Sequence, residues 1–508
     1  MSPSPAGARL VIDPDFAVGP VDPRLYGTFV EHMGRCVYTG IYEPGHPTAD
    51  AAGFRGDVAR LVRELGTGLV RYPGGNFVSG YHWEDGVGPF ADRPRRLDPA
   101  WRSIETNQVG TNEFLGWSRE VGVEPMLAVN LGTRGIDPAR ALVEYCNVPG
   151  GTAWSDLRVR HGVPEPHDVR LWCLGNEMDG PWQTGHKTAT EYGRLAAQAG
   201  KAMRQVDPSI ELVLCGSSNA EMPTFGSWEA EALRHAYDEV DHLSLHAYYE
   251  EKGGDQASFL ASGAHMDAYI ADVVATADHA RAVRRARKRV TLSFDEWNVW
   301  YADRFPGERR LDLAETPRLI EDTYSVTDAV VVGDLLITLL RHADRVAIAC
   351  LAQLVNVIGP IRSEPDGPSW RQATFHPFAL TARYARGTVL CTEPTGPWIE
   401  TARYGEVETL DAVVTWDEES GDLTVLAVNR DQREALPLRV VPRGLPGTYR
   451  MVEHLAIADP DPDATNTRER PDRVIPRRIE GGEVTGEGEL TVELPALSWN
   501  LVRLTTRG

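Results

Sequence analysis

Glu177 and Glu296 each close a short apolar run, Leu171-Trp-Cys-Leu-Gly-Asn-Glu177 and Leu292-Ser-Phe-Asp-Glu296. Paired carboxyls, one a proton donor and the other a nucleophile, are the minimal machinery for cleaving a glycosidic bond. Asn176 directly precedes the first glutamate, and Trp297 and Trp300 follow the second, with rings suited to sugar faces. Singly, a glutamate at a strand end is more often solvated than catalytic, and either tryptophan could be core packing. The pair together reads as a retaining glycosidase.

The elements that must position these residues alternate. Apolar runs begin at Tyr26, Gly68, Pro125, Arg170, Glu211, His242, Val290 and Val346, with helical patterns between them such as 58–65, 137–145, 189–204 and 317–340. Strands alternating with helices imply a parallel sheet with right-handed crossovers. Eight such units fit a (β/α)8 TIM barrel, whose C-terminal rim carries the chemistry. A doubly wound open sheet is the alternative, and the absence of GxGxxG after the first strand leaves its dinucleotide-binding form little support. After about residue 387 the texture changes to short strands separated by Gly, Pro and Asp turns, an all-β sandwich. The expected limits are 1–20 for an N-terminal strand segment joining that sandwich, 21–387 for the catalytic barrel and 388–508 for the sandwich. The tract 459–478, rich in Pro, Asp and Arg, reads as a long polar loop.

Polar residues end seven of the eight apolar runs: Glu31 and His32; Arg71 with Asn76; Asn130; Asn176 and Glu177; His246 and Tyr248; Glu296; Gln353 and Asn356. In a barrel these ends converge on one rim. Charged groups buried there need mutual hydrogen bonds or a polar ligand, and a polyhydroxylated sugar supplies both donors and acceptors. Gly74 and Gly75 between Arg71 and Asn76 read first as a tight turn.

The formal charge of −21 argues against nucleic acid and anionic membranes, which need a basic face. No run approaches a membrane span, and the first residues lack the basic and apolar regions of a signal peptide. The six cysteines are scattered with no CxxC pair, as expected of free thiols in a cytoplasmic protein. No HExxH, GxSxG or Walker A sequence is present; His235, His242 and His246 form at most a loose histidine cluster.

Several longer stretches resemble glycoside hydrolase family 51: Tyr26–Arg35, Ile41-Tyr-Glu-Pro-Gly-His46, Val70–Gly80, Trp172–Trp182, Ser244-Leu-His246, Phe294-Asp-Glu-Trp-Asn298 and the closing Leu494–Asn500. The resemblance covers nearly the whole chain, and the tract 459–478 is its main departure. It implies a cofactor-free, metal-free, cytoplasmic α-L-arabinofuranosidase built from a barrel and a β-sandwich and assembled as a homo-oligomer, a hexamer. Carried over by position, Glu177 resembles the acid/base and Glu296 the nucleophile, with Glu31, Arg71, Asn76, Asn176, Tyr248 and Gln353 matching substrate-binding positions. The expected substrate is an arabinose-containing oligosaccharide. Two other functions fit the same scaffold: a clan-related endo-β-glucanase or β-xylosidase, and a non-catalytic carbohydrate-binding protein.

Overall fold

The computed structural model describes residues 7–445, 448–485 and 488–506. Eight strands close a barrel in sequence order: Gly27–Phe29, Leu69–Tyr72, Glu124–Ala128, Leu171–Cys173, Glu211–Leu214, His242–Tyr249, Thr291–Val299 and Val346–Leu351. Every neighbouring pair is parallel. Strands covered on both faces must be apolar on both. Leu69, Met126, Leu171, Cys173, Val213 and Ile348 accordingly form a separate cluster inside the barrel. The open-sheet alternative is thereby excluded.

Helical periodicity locates the surrounding helices, for example Gly56–Leu65, Ile136–Asn147 and Ala189–Val206. The expectation of a helix over 317–340 needs correction, because the helix begins at Val326. Ser325 and Asp328 form a reciprocal capping box that fixes this start. The carbonyls of Ala464 and Pro462 also accept the amides of Val326 and Thr327, at 3.1 and 3.2 Å. The polar tract thus satisfies first-turn donors that have no partner within the helix.

The sandwich contains a seven-stranded and a four-stranded sheet. Its pairings are antiparallel except one, in which Ala8–Ile12 runs parallel to Leu436–Pro442. Tyr449–Ile457, a strand unmarked in the sequence reading, pairs with Ser498–Thr506. The sandwich docks on the barrel through the helix Val326–Arg341, where a Cβ on Gly333 would lie 2.1 Å from the Trp499 ring. Glycine there permits the close approach. Among the described residues, no helix is long and apolar enough to cross a membrane.

Candidate active site

The C-terminal strand ends surround a cavity of about 640 Å³. Glu31, Asn76, Glu177, Tyr248, Glu296 and Gln353 line it. Arg71 and Asn176 sit beneath: the Arg71 guanidinium donates to Glu296 Oε1 and to Asn176 Oδ1, both at 2.8 Å. All eight expected site residues are therefore gathered in one place.

Glu296 is held on two sides, with the Tyr248 hydroxyl donating to its other oxygen at 3.0 Å. Asp295 also approaches Arg71, 3.3 Å from Nε. Successive residues of a regular strand point to opposite faces, so one arginine should not meet both carboxylates. The pairing register slips between Phe294 and Trp297, and the neighbouring strand slips between Ser244 and His246. Such irregularities re-aim side chains. Here they bring Asp295, Glu296 and His246 into one buried group.

His246 stands between the carboxylates. Its Nδ1 lies 3.0 Å from Glu177 Oε1 and 3.3 Å from Glu296 Oε2. Burial disfavours its protonation, but Glu296, Asp295 and Glu177 raise its pKa to about 10. For Glu177, burial is the largest effect and raises the carboxyl above its usual range; His246 pulls it down and Glu296 pushes it up. Charge counting gives the net direction. Arg71 and His246 contribute two positive charges, and Asp295 and Glu296 two negative ones, so this buried set is neutral when Glu177 keeps its proton. Burial favours that neutral state.

Glu177 follows a turn at Gly175 and itself has φ +44°. Its Oε2 accepts the Trp182 indole N–H at 2.7 Å. Deeper in the cavity, Glu31 accepts the Phe77 amide at 3.0 Å and the Trp101 indole at 2.9 Å, both on Oε1. Glu31 and Gln353 form a reciprocal clamp: the Glu31 amide donates to Gln353 Oε1 at 3.1 Å, and Gln353 Nε2 donates back to Glu31 Oε2 at 3.0 Å. Burial pushes the Glu31 carboxyl up to about 8, against the lowering effect of the Phe77 and Trp101 donors. A Cβ on Gly75 would stand 2.6 Å from Glu31 Oε2. The Gly74–Gly75 pair makes room for this carboxyl as well as turning the chain.

Several sequence expectations dissolve. Trp297 is fully buried core, and only Trp300 reaches the cavity wall. Asn130 accepts the amides of Gly132 and Thr133 and holds a turn. Asn356 exchanges hydrogen bonds with Ser363 and caps Arg35 O. The histidine cluster is dispersed: His235 pairs with Glu231 on a helix, while His242 begins the strand His242–Tyr249 and His246 lies in its middle. Glu177, His246 and Glu296 do offer three ligand atoms within 4.8 Å of one another. His246, Asp295, Trp101 and Trp182 are site residues that sequence reasoning did not assign. The signals for His246 were its place in an apolar run and in the stretch Ser244-Leu-His246, neither of which gives a role, and Asp295 joins Glu296 in the site through a register irregularity that no residue pattern announces.

Comparison with known proteins decides the family. The chain is 59% identical to an intracellular exo-α-(1→5)-L-arabinofuranosidase of Streptomyces lividans, over 98% of this chain and 75% of that one. It is 52% identical to a protein of the same name from Halalkalibacterium halodurans, over 98% and 99%. The solved structure of a family 51 α-L-arabinofuranosidase from Bifidobacterium longum superposes with a TM-score of 0.94 at 48% identity, covering 98% of this chain and 100% of that one. The chain belongs to glycoside hydrolase family 51. Within this family 51 chain, residues 61–265 match the α-L-arabinofuranosidase 1 domain and residues 295–498 match the α-L-arabinofuranosidase C-terminal domain. The second match begins at Asp295, inside the seventh barrel strand. The segment shared across the family therefore carries Glu296 as well as most of the sandwich.

Proposed function

We propose that the chain is a retaining, exo-acting α-L-arabinofuranosidase that releases terminal non-reducing arabinofuranosyl units from arabinose-containing oligosaccharides. One observation carries the mechanism: oxygens of Glu177 and Glu296 approach within 4.8 Å. An approach this close between the nearest oxygens favours the about 5–5.5 Å spacing of a retaining pair over the about 6.5–9.5 Å of an inverting one.

In the first half-reaction, Glu296 attacks the anomeric carbon while Glu177 gives its proton to the departing oxygen. Arg71 and Tyr248 orient the nucleophile through its two oxygens. Esterification removes the charge of Glu296, so the buried set would become positive if Glu177 were reprotonated. Glu177 is then the favoured base for the incoming water, which cleaves the ester and restores Glu296. Asn176, next to Glu177 and bonded to Arg71, takes the sugar 2-hydroxyl in this reading, a contact that strengthens in the transition state. Glu31, Asn76 and Gln353 take the remaining hydroxyls.

The exo reading is supported by a gradient of exposure along the cavity. Glu31, Trp101 and Gln353 are buried at the inner end, while Trp182 is 47% exposed at the outer one. The cytoplasmic location is supported by the relatives named as intracellular. Assembly as a hexamer and a role in arabinan degradation rest on family membership, and light scattering on the purified protein tests the first. The limits 1–20, 21–387 and 388–508 are supported by the pairing of Ala8–Ile12 with Leu436–Pro442 and of Ala17–Pro20 with Thr388–Leu390; residues 1–6, 446–447, 486–487 and 507–508 lie outside the described residues.

The test is a panel of nitrophenyl glycosides, with the anomer of the first-formed sugar read by NMR. Release from the α-L-arabinofuranoside with retained configuration is expected. Release only from the β-xyloside or β-glucoside would overturn the substrate, an inverted product would overturn the mechanism, and no release from any sugar would leave a binding protein.

A further inference from the structure

The cavity continues past the catalytic pair to a wall that the barrel does not build alone. Two residues after Glu177, Asp179 accepts the Ser218 amide at 3.1 Å. The segment from Ser218 to Glu221 lines the cavity outward from there. Glu221 lies 3.7 Å from His265, whose other ring nitrogen meets the Tyr249 hydroxyl at 3.2 Å. Against His265, with ring centroids 6.2 Å apart, stands Tyr404. Tyr404 and Arg403 both line the cavity, yet they belong to the hairpin Trp398–Thr401/Gly405–Glu408, beyond the last barrel strand and among the strands that lead into the sandwich.

The turn is held in place. Tyr404 N donates to Thr401 Oγ1 at 3.0 Å, and that hydroxyl donates to Gly405 O at 2.8 Å. Arg403 N donates to Ser258 Oγ at 3.1 Å, on the barrel helix Gln256–Leu260. Arg430 then ties the hairpin's end to the same part of the barrel, donating to Glu408 O at 3.0 Å and Leu260 O at 3.1 Å.

We infer that the Arg403–Tyr404 turn forms the far wall of the leaving-group site and selects what is attached to the transferred sugar. This rests on the reading above, in which Glu177 protonates the departing oxygen. The leaving group must then lie on the Glu177 side, toward Trp182, Glu221 and Tyr404. A cavity of about 640 Å³ falls within the about 300–1,000 Å³ of pockets for drug-sized ligands, which is room for further sugar rings. The chemistry suits a neutral saccharide: a ring for its apolar face at Tyr404, and charged donors and acceptors for its hydroxyls at Arg403 and Glu221.

The experiment compares kcat/KM for an arabinofuranosyl trisaccharide with that for methyl α-L-arabinofuranoside, whose leaving group is too small to reach the turn. Wild type, Tyr404→Ala, Arg403→Ala and Tyr404→Phe are measured. The trisaccharide-to-methyl ratio is expected to fall about five- to tenfold in Tyr404→Ala, the worth of one aromatic contact, to fall in Arg403→Ala, and to stay near wild type in Tyr404→Phe, which keeps the ring. Ratios within twofold of wild type in both alanine variants would overturn the inference, as would equal losses on the two substrates. A wild type that cleaves neither substrate would instead overturn the proposed function.

Discussion

Two buried arginines in this molecule have nearly the same company and opposite consequences. Arg71 faces Asp295 and Glu296 at the barrel rim. Arg430 faces Asp334 and Asp411 where the sandwich meets the barrel, at 2.7 and 2.6 Å, and Arg341 pairs with Asp411 as well. Around Arg430 the valences are closed: Nε and Nη1 go to backbone carbonyls, and Gly263 N donates to Asp334 at 2.9 Å. Burial opposes the ionisation of Asp411, but Arg341 and Arg430 hold it below the usual carboxylate range. Around Arg71 one carboxylate faces the cavity, and His246 and Glu177 crowd beside it. Buried charge alone therefore does not mark a site. An incomplete set of partners opening onto a cavity does.

Breaking the rim cluster should cost turnover. Glu296→Ala is expected to lower kcat by on the order of 10⁴-fold or more, and external azide to restore part of it by taking the place of the nucleophile. Turnover near wild type would remove Glu296 from its role. Glu177→Ala should lower turnover of oligosaccharides by about 10²–10⁴-fold and of nitrophenyl arabinofuranoside far less, since nitrophenolate departs without a proton. Because Glu177 is raised, the acid step fails as pH rises through that raised value. The alkaline limb of the pH profile should therefore be missing in the variant, and an unchanged limb would assign it to another group.

Breaking the interdomain cluster should cost stability instead. Arg430→Met leaves two carboxylates short of partners, a loss of about 3–5 kcal/mol for a broken buried pair, seen as a lower denaturation midpoint. A midpoint equal to wild type would mean the cluster is dispensable. The smallest effect concerns Glu31. Its folded-state pKa is raised from 4.5 to about 8, so the folded protein keeps a proton that the unfolded chain has released. Its contribution is complete below 4.5 and is lost as pH rises toward about 8. Glu31→Gln should flatten the fall in melting temperature across that interval, and an unchanged slope would place the titration elsewhere.

The catalytic pair was legible because each glutamate ends an apolar run long enough to be recognised as a buried strand. The eight-strand order was legible for the same reason, with helices between consecutive strands leaving few topologies. Trp297 and Trp300 were not separable, because three residues along an irregular strand decide whether a ring faces core or cavity. Asn130 and Asn356 look like rim residues in the sequence, yet their side chains are consumed by their own turns. The start of the helix Val326–Arg341 was obscured because half of its capping comes from Pro462 and Ala464, over a hundred residues later.

Local pattern thus carried the barrel, the change to β-rich texture near residue 387 and the glutamates at the fourth and seventh strand ends, because apolar periodicity and turn residues act over neighbouring positions. The protonation of the pair, the place of His246 between its carboxyls and the reach of Tyr404 into the cavity were decided by tertiary structure. Each depends on distances between residues far apart in the chain, on two strand irregularities, and on the exclusion of water that makes an unbalanced charge costly.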